Sequence, residues 1–444
     1  MKPVTYEQYT LDNGLTVILH RDGSSPVAAV MVMYHAGSRN ETPGRTGLAH
    51  LFEHLMFKGS AHVADGEHFR LLQEIGASVN GSTTEDRTNY YEVVPSNYLE
   101  LALFLESDRM GFLPPAVDQA SLDNQRDVVK NERRQNYDNV PYGTAYETIA
   151  GAVYGAGHPY SWSVIGSMED LSAASLEDVT GFFRTYYAPN NACIVVAGDF
   201  DRDRTVDWIA KYFGPIARGP SQPPAVISPA QIREDVRLVS EEDVQLPRLF
   251  AAWPGAPRGT REDALLDVLT TILASGKNSR LYRPLVFEKQ IAQSVNAYTD
   301  GKEIAGTLLM DATAKPDTSL AEIAGCIEGV LESLLSGGVT PREIESAYNG
   351  KEAQLAGRLT TALGIAHGLA TSFILTGDTE NFNREIDRFH GITPDEVLSS
   401  ARRVFSSPRV TLCVVPRGKR SLAVPETPPG RSGKSTPPRE KGPA

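Results

Sequence analysis

The sequence predicts an α+β protein built from two homologous α/β sandwich domains, each with an antiparallel-rich mixed sheet packed with helices. At 444 residues the chain is long for a single hydrophobic core, which favours two domains. A stretch rich in Pro and Gly, residues 214–224, interrupts the chain near its middle. The chain also repeats itself, because residues 171–196 and 391–415 each contain a helical segment, a turn with Pro and an apolar strand.

These observations divide the chain into four segments. We expect the first domain at residues 1–215, a linker at 216–232 and the second domain at 233–417. Residues 418–444 are rich in Pro, Ser, Gly and Lys and cannot form a core. We therefore expect a disordered tail there.

Local patterns place the elements of the first domain. Asn13-Gly14 is typical of a hairpin turn between strands at 6–10 and 15–19, and the apolar run 27–34 predicts a buried strand. Further elements are expected as strands at 78–84, 88–94 and 192–198 and as helices at 98–110, 117–137, 145–153 and 171–187. Together they predict a sheet covered on one face by helices.

Residues 46–59 contain the side chains with the clearest chemical meaning. The apolar residues of this segment recur at helical spacing and Gly59 ends the run, which predicts a short buried helix. On that helix His50 and His54 lie one turn apart on the same face, and Glu53 flanks them. Two neutral imidazoles and a nearby carboxylate are what a zinc ion and its water require. The alternative is that neighbouring residues satisfy the two histidines without a metal ion. The presence of Glu53 between them favours the metal site.

Glu132 is the candidate for a third ligand. Residues 117–137 lack Gly and Pro and predict a helix with Leu122, Val128 and Val129 on its apolar side. Because Glu132 follows Val128 and Val129 by one helical turn, it is expected on that side too. A carboxylate directed into a core requires a partner, and a metal ion would provide one.

These motifs carry a resemblance that extends over nearly the whole chain. The segments that match are Leu11–Val17, Ala36–Glu41, Gly47–Gly59, Asn80–Asp86, Asn131–Glu132 and Gly157–Tyr160. They resemble the pitrilysin-like zinc peptidases, the inverzincin group, in which His-x-x-Glu-His precedes a ligand glutamate by roughly seventy residues. The resemblance implies one zinc ion per chain, bound by His50, His54 and Glu132. It implies that Glu53 is the general base of a zinc-dependent endopeptidase.

The resemblance also implies how a peptide substrate binds. In the family, the strand expected at 78–84 borders the metal, and the substrate adds to it as an extra strand. Asn80 would contact the substrate backbone, although an Asn beside Gly81 also suits a simple turn. Relatives of about twice this length close four domains like a clamshell around the peptide, and this chain would be one half.

Three positions depart from the family pattern. Gln125 stands where many relatives carry a second acidic residue, which changes the surroundings of the metal but not its ligands. Val286 and Gln293 stand where self-sufficient relatives carry an Arg and a Tyr that bind substrate from the far half. The chain is similar in size to half-length subunits such as the mitochondrial processing peptidase beta subunit. We therefore expect a heterodimer with a homologous non-catalytic subunit, or else a homodimer.

The family offers a second interpretation. Some members have lost catalysis and serve as structural core subunits of heteromeric complexes. Loss of motif residues would mark such a subunit, whereas all four catalytic positions are present here. The sequence thus favours the enzyme over the scaffold.

Composition argues against several other functions. The 43 basic and 55 acidic residues give a net charge of −12, and no basic stripe indicates nucleic acid as a partner. Cys193, Cys326 and Cys413 are too few for a disulfide framework and are expected as buried thiols. No apolar run approaches the roughly 20 residues of a membrane-spanning helix. As written, the chain predicts a cytoplasmic protein, and a removed signal peptide with a periplasmic location stays open.

Overall fold

The computed structural model of the protein describes residues 3–113, 117–222, 224, 226–316 and 318–424. These residues form two mixed β-sheets packed with helices, as the α+β class predicts. The strands are β1 (Glu7–Thr10), β2 (Thr16–Arg21), β3 (Val27–Tyr34), β4 (Ser78–Thr83), β5 (Thr88–Pro95), β6 (Ala192–Gly198), β7 (Val236–Glu242), β8 (Arg248–Gly255), β9 (Ala292–Gly301), β10 (Gly306–Ala314) and β11 (Val410–Pro416). The helices are α1 (Leu48–Leu55), α2 (Glu67–Glu74), α3 (Leu99–Phe112), α4 (Gln119–Arg133), α5 (Ala145–Tyr154), α6 (Met168–Ala173), α7 (Leu176–Tyr186), α8 (Arg202–Phe213), α9 (Arg261–Ala274), α10 (Leu320–Gly337), α11 (Pro341–Arg358), α12 (Ala362–Thr376) and α13 (Pro394–Phe405).

The first sheet has the strand order β1-β2-β6-β3-β5-β4. β2 and β6 run parallel, whereas the other neighbouring strands are antiparallel. β1 and β2 form the hairpin predicted at Asn13-Gly14, where Gly14 has φ +92°. β4 lies at one edge of the sheet, next to α1.

The second sheet repeats this arrangement. Its order, β7-β11-β8-β10-β9, matches β2-β6-β3-β5-β4 strand by strand, including the parallel pair at one end. α9 follows β8 as α1 follows β3, and α11 packs against α9 as α4 packs against α1. The structure thus confirms the predicted duplication of the fold.

One helix from each half of the chain crosses to the other sheet. The buried residues of α5 share a core with β8 and β11 of the second sheet. In return, α12 lies on β3 and β6 of the first sheet. The opposite face of each sheet is covered by helices of its own half. A boundary at residue 215 therefore separates the two sheets but not all of their helices.

The C-terminal region of the described chain extends past the predicted domain end at residue 417. Leu422, Ala423 and Val424 pack against the core of the second sheet. The remainder of the predicted tail, residues 425–444, lies outside the described residues. The three cysteines are unpaired and buried, as expected.

In the part of the chain that the structure describes, no single helix is long and apolar enough to cross a bilayer. One pair of consecutive helices, Leu320–Gly337 and Pro341–Arg358, is long and apolar enough when taken together, but it is bent by 112° at the break between them.

Candidate metal centre

α1 begins at a left-handed turn and is capped by a residue outside the helix. Gly47 precedes it with φ +86°, and a Cβ there would lie 2.7 Å from the carbonyl oxygen of Ile165. Because Gly47 has no side chain to cap the helix, the buried Glu41 caps it instead. The Glu41 carboxyl oxygens accept the N–H groups of Gly47 at 3.0 Å and Ala49 at 2.7 Å. The position of α1 thus depends on Glu41.

The apolar side of α1 fixes its rotation. Leu51, Phe52 and Leu55 are fully buried, and the Phe52 ring centroid lies 4.2 Å from that of Tyr187. Residues on the opposite side of the helix are only partly buried and line an open cleft. The helix therefore presents its two histidines and Glu53 to this cleft.

The three predicted ligands converge. The rings of His50 and His54 lie 4.8 Å apart. Glu132 Oε2 lies 3.3 Å from His54 Nε2 and 3.9 Å from His50 Nε2. Zinc bonds of about 2.0–2.2 Å in a tetrahedral site place neighbouring ligand atoms roughly 3.3 Å apart. The donor set and its spacing therefore fit one zinc ion with three protein ligands.

The protonation states of these residues suit metal binding. Burial lowers the pKa of His50 to about 4, so its imidazole is neutral at pH 7. The hydrogen bond with His54 lowers the pKa of Glu132, which is therefore ionised. Neutral imidazole and ionised carboxylate are the forms that bind a divalent cation.

Glu53 lies beside this group and is held by β4. The hydroxyl group of Thr83 donates to Glu53 Oε2 at 2.5 Å. Burial raises the pKa of Glu53 despite this bond. A carboxylate with a raised pKa is well suited to accept and return a proton near neutral pH.

β4 exposes backbone groups along the free edge of the first sheet. At the adjoining turn, the N–H of Thr84 donates to the carbonyl of Arg87 at 2.9 Å. In an antiparallel ladder such pairs alternate along the strand. Val79, Gly81 and Thr83 therefore direct their N–H and C=O groups away from β5, towards the open edge.

Asn80 lies on this edge strand and lines the same cleft. Its side chain is exposed, and its Oδ1 accepts the N–H of Gly81 at 2.9 Å. Asn80 pairs with Tyr91, whereas Gly81 pairs with Tyr90 and lies close to Glu53. Since successive side chains of a strand alternate, Asn80 points to the sheet face opposite Glu53.

The cleft around these residues has a volume of about 700 Å³. Phe57 and Phe69 stack in its wall with ring centroids 4.8 Å apart. Gln125 also lines it and is 6% exposed, with its Nε2 donating to Asn124 Oδ1 at 2.8 Å. The chain thus has a neutral amide, Gln125, beside the three predicted ligands, as its departure from the family pattern implied.

The predicted apolar stripe of α4 needs one correction. Leu122 and Val129 are buried as expected, but Val128 is 41% exposed. The buried side of the helix runs instead through Leu122, Gln125 and Val129, which follow helical spacing. Val128 is rotated by about 100° from Val129, which takes it out of the core.

Three residues that sequence reasoning did not single out shape the site. Glu41 caps α1, Thr83 orients Glu53, and Gly81 lets β4 approach Glu53 closely. All three lie in segments that carried the family resemblance, 36–41 and 80–86. The signal was present, but only the structure shows which atoms they contact.

The second half of the chain has an ion pair between the two helices that correspond to α1 and α4, which carry the predicted ligands in the first half. Asp267 of α9 and Lys351 of α11 pair at 2.5 Å between Oδ2 and Nζ. α9 contains no histidine, as the sequence indicated. Among the described residues, His50, His54 and Glu132 form the group of ligand atoms close enough to share a metal ion.

Two family sequence profiles match the chain. The profile described as "Insulinase (Peptidase family M16)" matches residues 16–154, which contain all four motif residues. The profile described as "Peptidase M16 inactive domain" matches residues 173–351. The predicted metal-binding motif thus falls within the first match.

Known proteins resemble the chain over most of its length. The chain is 28% identical to "Zinc protease PqqE" of Helicobacter pylori, with 91% of each chain covered. It is 25% identical to "Mitochondrial-processing peptidase subunit beta" of Caenorhabditis elegans, covering 91% of this chain and 88% of that protein. A crystal structure of a protease from Helicobacter pylori aligns with a TM-score of 0.87 and 26% identity, over 94% of this chain and all of the other.

Proposed function

The chain belongs to the M16 family of peptidases, and from this premise we propose that it is a zinc-dependent endopeptidase. The observation that carries the proposal is the convergence of His50 Nε2, His54 Nε2 and Glu132 Oε2 beside Glu53. Its substrates are peptides or unfolded segments of polypeptides. One zinc ion per chain would be held by the two histidines and Glu132.

The reaction follows from the residues around the ligands. Zinc held there would polarise the scissile carbonyl group and lower the pKa of the attacking water. Glu53 accepts the proton of that water and later delivers it to the leaving amine. Thr83 holds Glu53 Oε2, which leaves Oε1 free to exchange the proton.

The free edge of β4 supplies the substrate-binding surface in this proposal. A peptide added there would pair with the outward N–H and C=O groups of Val79, Gly81 and Thr83. The Gly81 N–H now donates to Asn80 Oδ1, so Asn80 would release it and take up a substrate backbone group instead. The site would thereby select extended peptides over folded proteins.

A homologous partner subunit is part of the proposal. Val286 packs against the core of the second sheet, and Gln293 is exposed. Because one side chain is aliphatic and the other is an amide, neither provides a cation or a phenol for a substrate. A non-catalytic subunit would supply that Arg and Tyr in a heterodimer. Adding such a subunit should raise turnover strongly, whereas a homodimer that works at full rate would remove the need for it.

The decisive experiment is hydrolysis of a quenched-fluorescent peptide library by the zinc-loaded chain, with Glu53→Gln as the blank. Hydrolysis that a chelator abolishes and that the Glu53→Gln variant lacks supports the peptidase. The variant should retain stoichiometric zinc, because Glu53 is not a ligand. Wild-type turnover in the variant would rule out Glu53 as the base.

The second candidate is a non-catalytic structural subunit. It is favoured by the match of residues 173–351 to a profile described as an inactive domain. A chain that binds zinc but hydrolyses no peptide, even after addition of its co-purifying partner, would support this function.

A further inference from the structure

The tip of the hairpin between β9 and β10 lies against the first half of the chain. The backbone N–H of Glu303 donates to Asp86 Oδ2 at 2.9 Å, and that of Ile304 donates to the hydroxyl oxygen of Tyr160 at 3.1 Å. The Tyr160 hydroxyl in turn donates to Asp86 Oδ1 at 2.5 Å. Lys302 lies 3.3 Å from the carboxylate of Glu85. The tip therefore contacts the turn between β4 and β5, residues 84–87.

The side chain of Glu303 is the charged centre of this contact. Its Oε2 lies 2.6 Å from Arg39 Nη1 and 2.7 Å from His35 Nε2. Arg39 Nη1 also reaches Asp86 Oδ1 at 3.2 Å. Burial opposes ionisation, but His35 and Arg39 hold the pKa of Glu303 below its usual range. Glu303 is thus an ionised group that links the second half of the chain to the 84–87 turn through Arg39.

The same turn is held from its other side by the backbone of residues 37–40. The N–H of Ser38 donates to the Thr84 carbonyl at 3.2 Å, and that of Arg39 donates to the Glu85 carbonyl at 3.0 Å. Gly37 allows this approach, since a Cβ there would lie 2.3 Å from the Thr84 oxygen. The turn is therefore clamped between residues 37–40 and the hairpin tip.

The clamped turn leads directly into the candidate site. Thr83, which donates to Glu53, ends β4 one residue before the turn begins. Gly81 lies two residues further back, with its Cβ position 3.1 Å from Glu53 Oε1. A shift of the turn would consequently move both the edge strand and the hydrogen bond that orients Glu53.

We propose that Glu303 and the hairpin tip are positioning elements of the peptidase site. They hold the edge strand β4 at the position relative to Glu53 that substrate addition requires. This inference rests on the proposed function. It assigns to the second half of the chain a role in the site of the first. The halves do not need the tip to stay together, because α5 and α12 each bury an apolar face on the opposite sheet.

The test compares Glu303→Ala and Glu303→Gln with a matched control, Glu380→Ala. Glu380 also joins the two halves, since it accepts the Tyr6 hydroxyl at 3.0 Å, but Tyr6 precedes β1, which lies at the edge of the first sheet opposite β4. Amide hydrogen exchange of peptides spanning residues 78–95 reports the position of the turn without any need for catalysis. Zinc content, KM and kcat are measured on the same preparations.

We expect Glu303→Ala to speed exchange in residues 78–95 and to raise KM by about tenfold, the factor that loss of one charge-assisted hydrogen bond implies. Zinc content should stay within about twofold of wild type, since the three ligands remain, whereas kcat should fall with the rise in KM because the turn positions the Thr83 hydrogen bond to Glu53. Glu303→Gln keeps an acceptor for Arg39 and should recover most of the loss, and Glu380→Ala should change neither quantity.

Two results would overturn the inference. One is wild-type exchange and KM in Glu303→Ala, and the other is an equal effect of Glu380→Ala, which would reveal general loosening between the halves. If the wild-type chain hydrolyses no peptide, the proposed function fails, and the exchange measurement still decides whether Glu303 positions β4.

Discussion

Gly81→Ala tests the close approach of β4 to Glu53. A Cβ at this position would lie 3.1 Å from Glu53 Oε1 and 3.1 Å from Tyr90 Cδ1, with Phe57 Cε2 at 3.3 Å. The φ of Gly81 is not in the left-handed region, so the backbone accepts Ala without strain. The added methyl group acts through contact alone.

The size of the effect follows from which neighbour can move. Ordinary carbon contacts require about 3.5–4.0 Å, so the neighbours must withdraw by roughly 0.5 Å. Tyr90 is fully buried and Phe57 is stacked on Phe69, which leaves the Glu53 carboxylate as the group that shifts. Catalytic groups tolerate about 0.5 Å of displacement, and 1 Å can cost about 100-fold in rate. We therefore expect Gly81→Ala to lower kcat by about tenfold.

The assay is peptide hydrolysis at saturating zinc, with the partner subunit present if turnover requires it. Zinc stoichiometry should be unchanged, because the methyl group touches none of the three ligands. Gly181→Ala is the matched control, since a Cβ there meets nothing within 4 Å on α7. The control should keep full activity and gain up to about 1 kcal/mol of stability. A Gly81→Ala enzyme with wild-type kcat would refute the placement of Glu53 against β4.

Three further changes have distinct expected results. Glu132→Ala should weaken zinc binding by more than the roughly 10–100-fold that outer-sphere partners contribute, and unchanged zinc content after dialysis would refute the ligand role. Glu41→Ala should lower the free energy of unfolding by about 1–2 kcal/mol, because it leaves N–H groups of α1 unpaired; denaturant titration measures this, and zinc affinity should fall with it. Burial and nearby arginines lower the pKa of His367 to about 4, so below pH 6.5 the unfolded chain binds a proton that the folded chain does not. The free energy of unfolding should therefore fall with decreasing pH between 6.5 and 4, by about 1.4 kcal/mol per unit more than in His367→Gln, and equal slopes in the two proteins would contradict this assignment.

The sequence predicted the elements that depend on local periodicity. α1 is recognisable because its apolar residues and its two histidines both follow a helical repeat, and the Asn13-Gly14 hairpin has its own turn signature. Glu132 could be placed on a helix by the same reasoning, but its meeting with His54 required the family resemblance. Val128 was misplaced because it lies about 100° around the helix from Val129, outside the narrow side of α4 that is buried.

Contacts across the chain were beyond the reach of periodicity. The amphipathic pattern of α5 shows that one face is buried, but not that this face covers the sheet of the other half. Residues 301–305 contain no sequence motif that indicates a contact with the first half. Their burial against residues 84–87 depends on the packing of two hairpins that are distant in sequence, since β5 ends at residue 95 and β9 begins at residue 292. Glu303 therefore carried no local signal of its role.

The duplicated fold is consistent with a metal site in the first half alone. Both halves place two helices side by side at equivalent positions, α1 with α4 and α9 with α11, and polar groups between such helices need partners. In the second half Asp267 and Lys351 satisfy each other, so that helix pair is complete without a cofactor. In the first half His50, His54 and Glu132 bring three electron-pair donors together, and the hydrogen bond between His54 and Glu132 pairs two of them. A bound cation would be a partner for all three. Zinc would then stabilise the first half specifically through mass action, while the second half needs no cofactor and would, as proposed, hold β4 in position through Glu303.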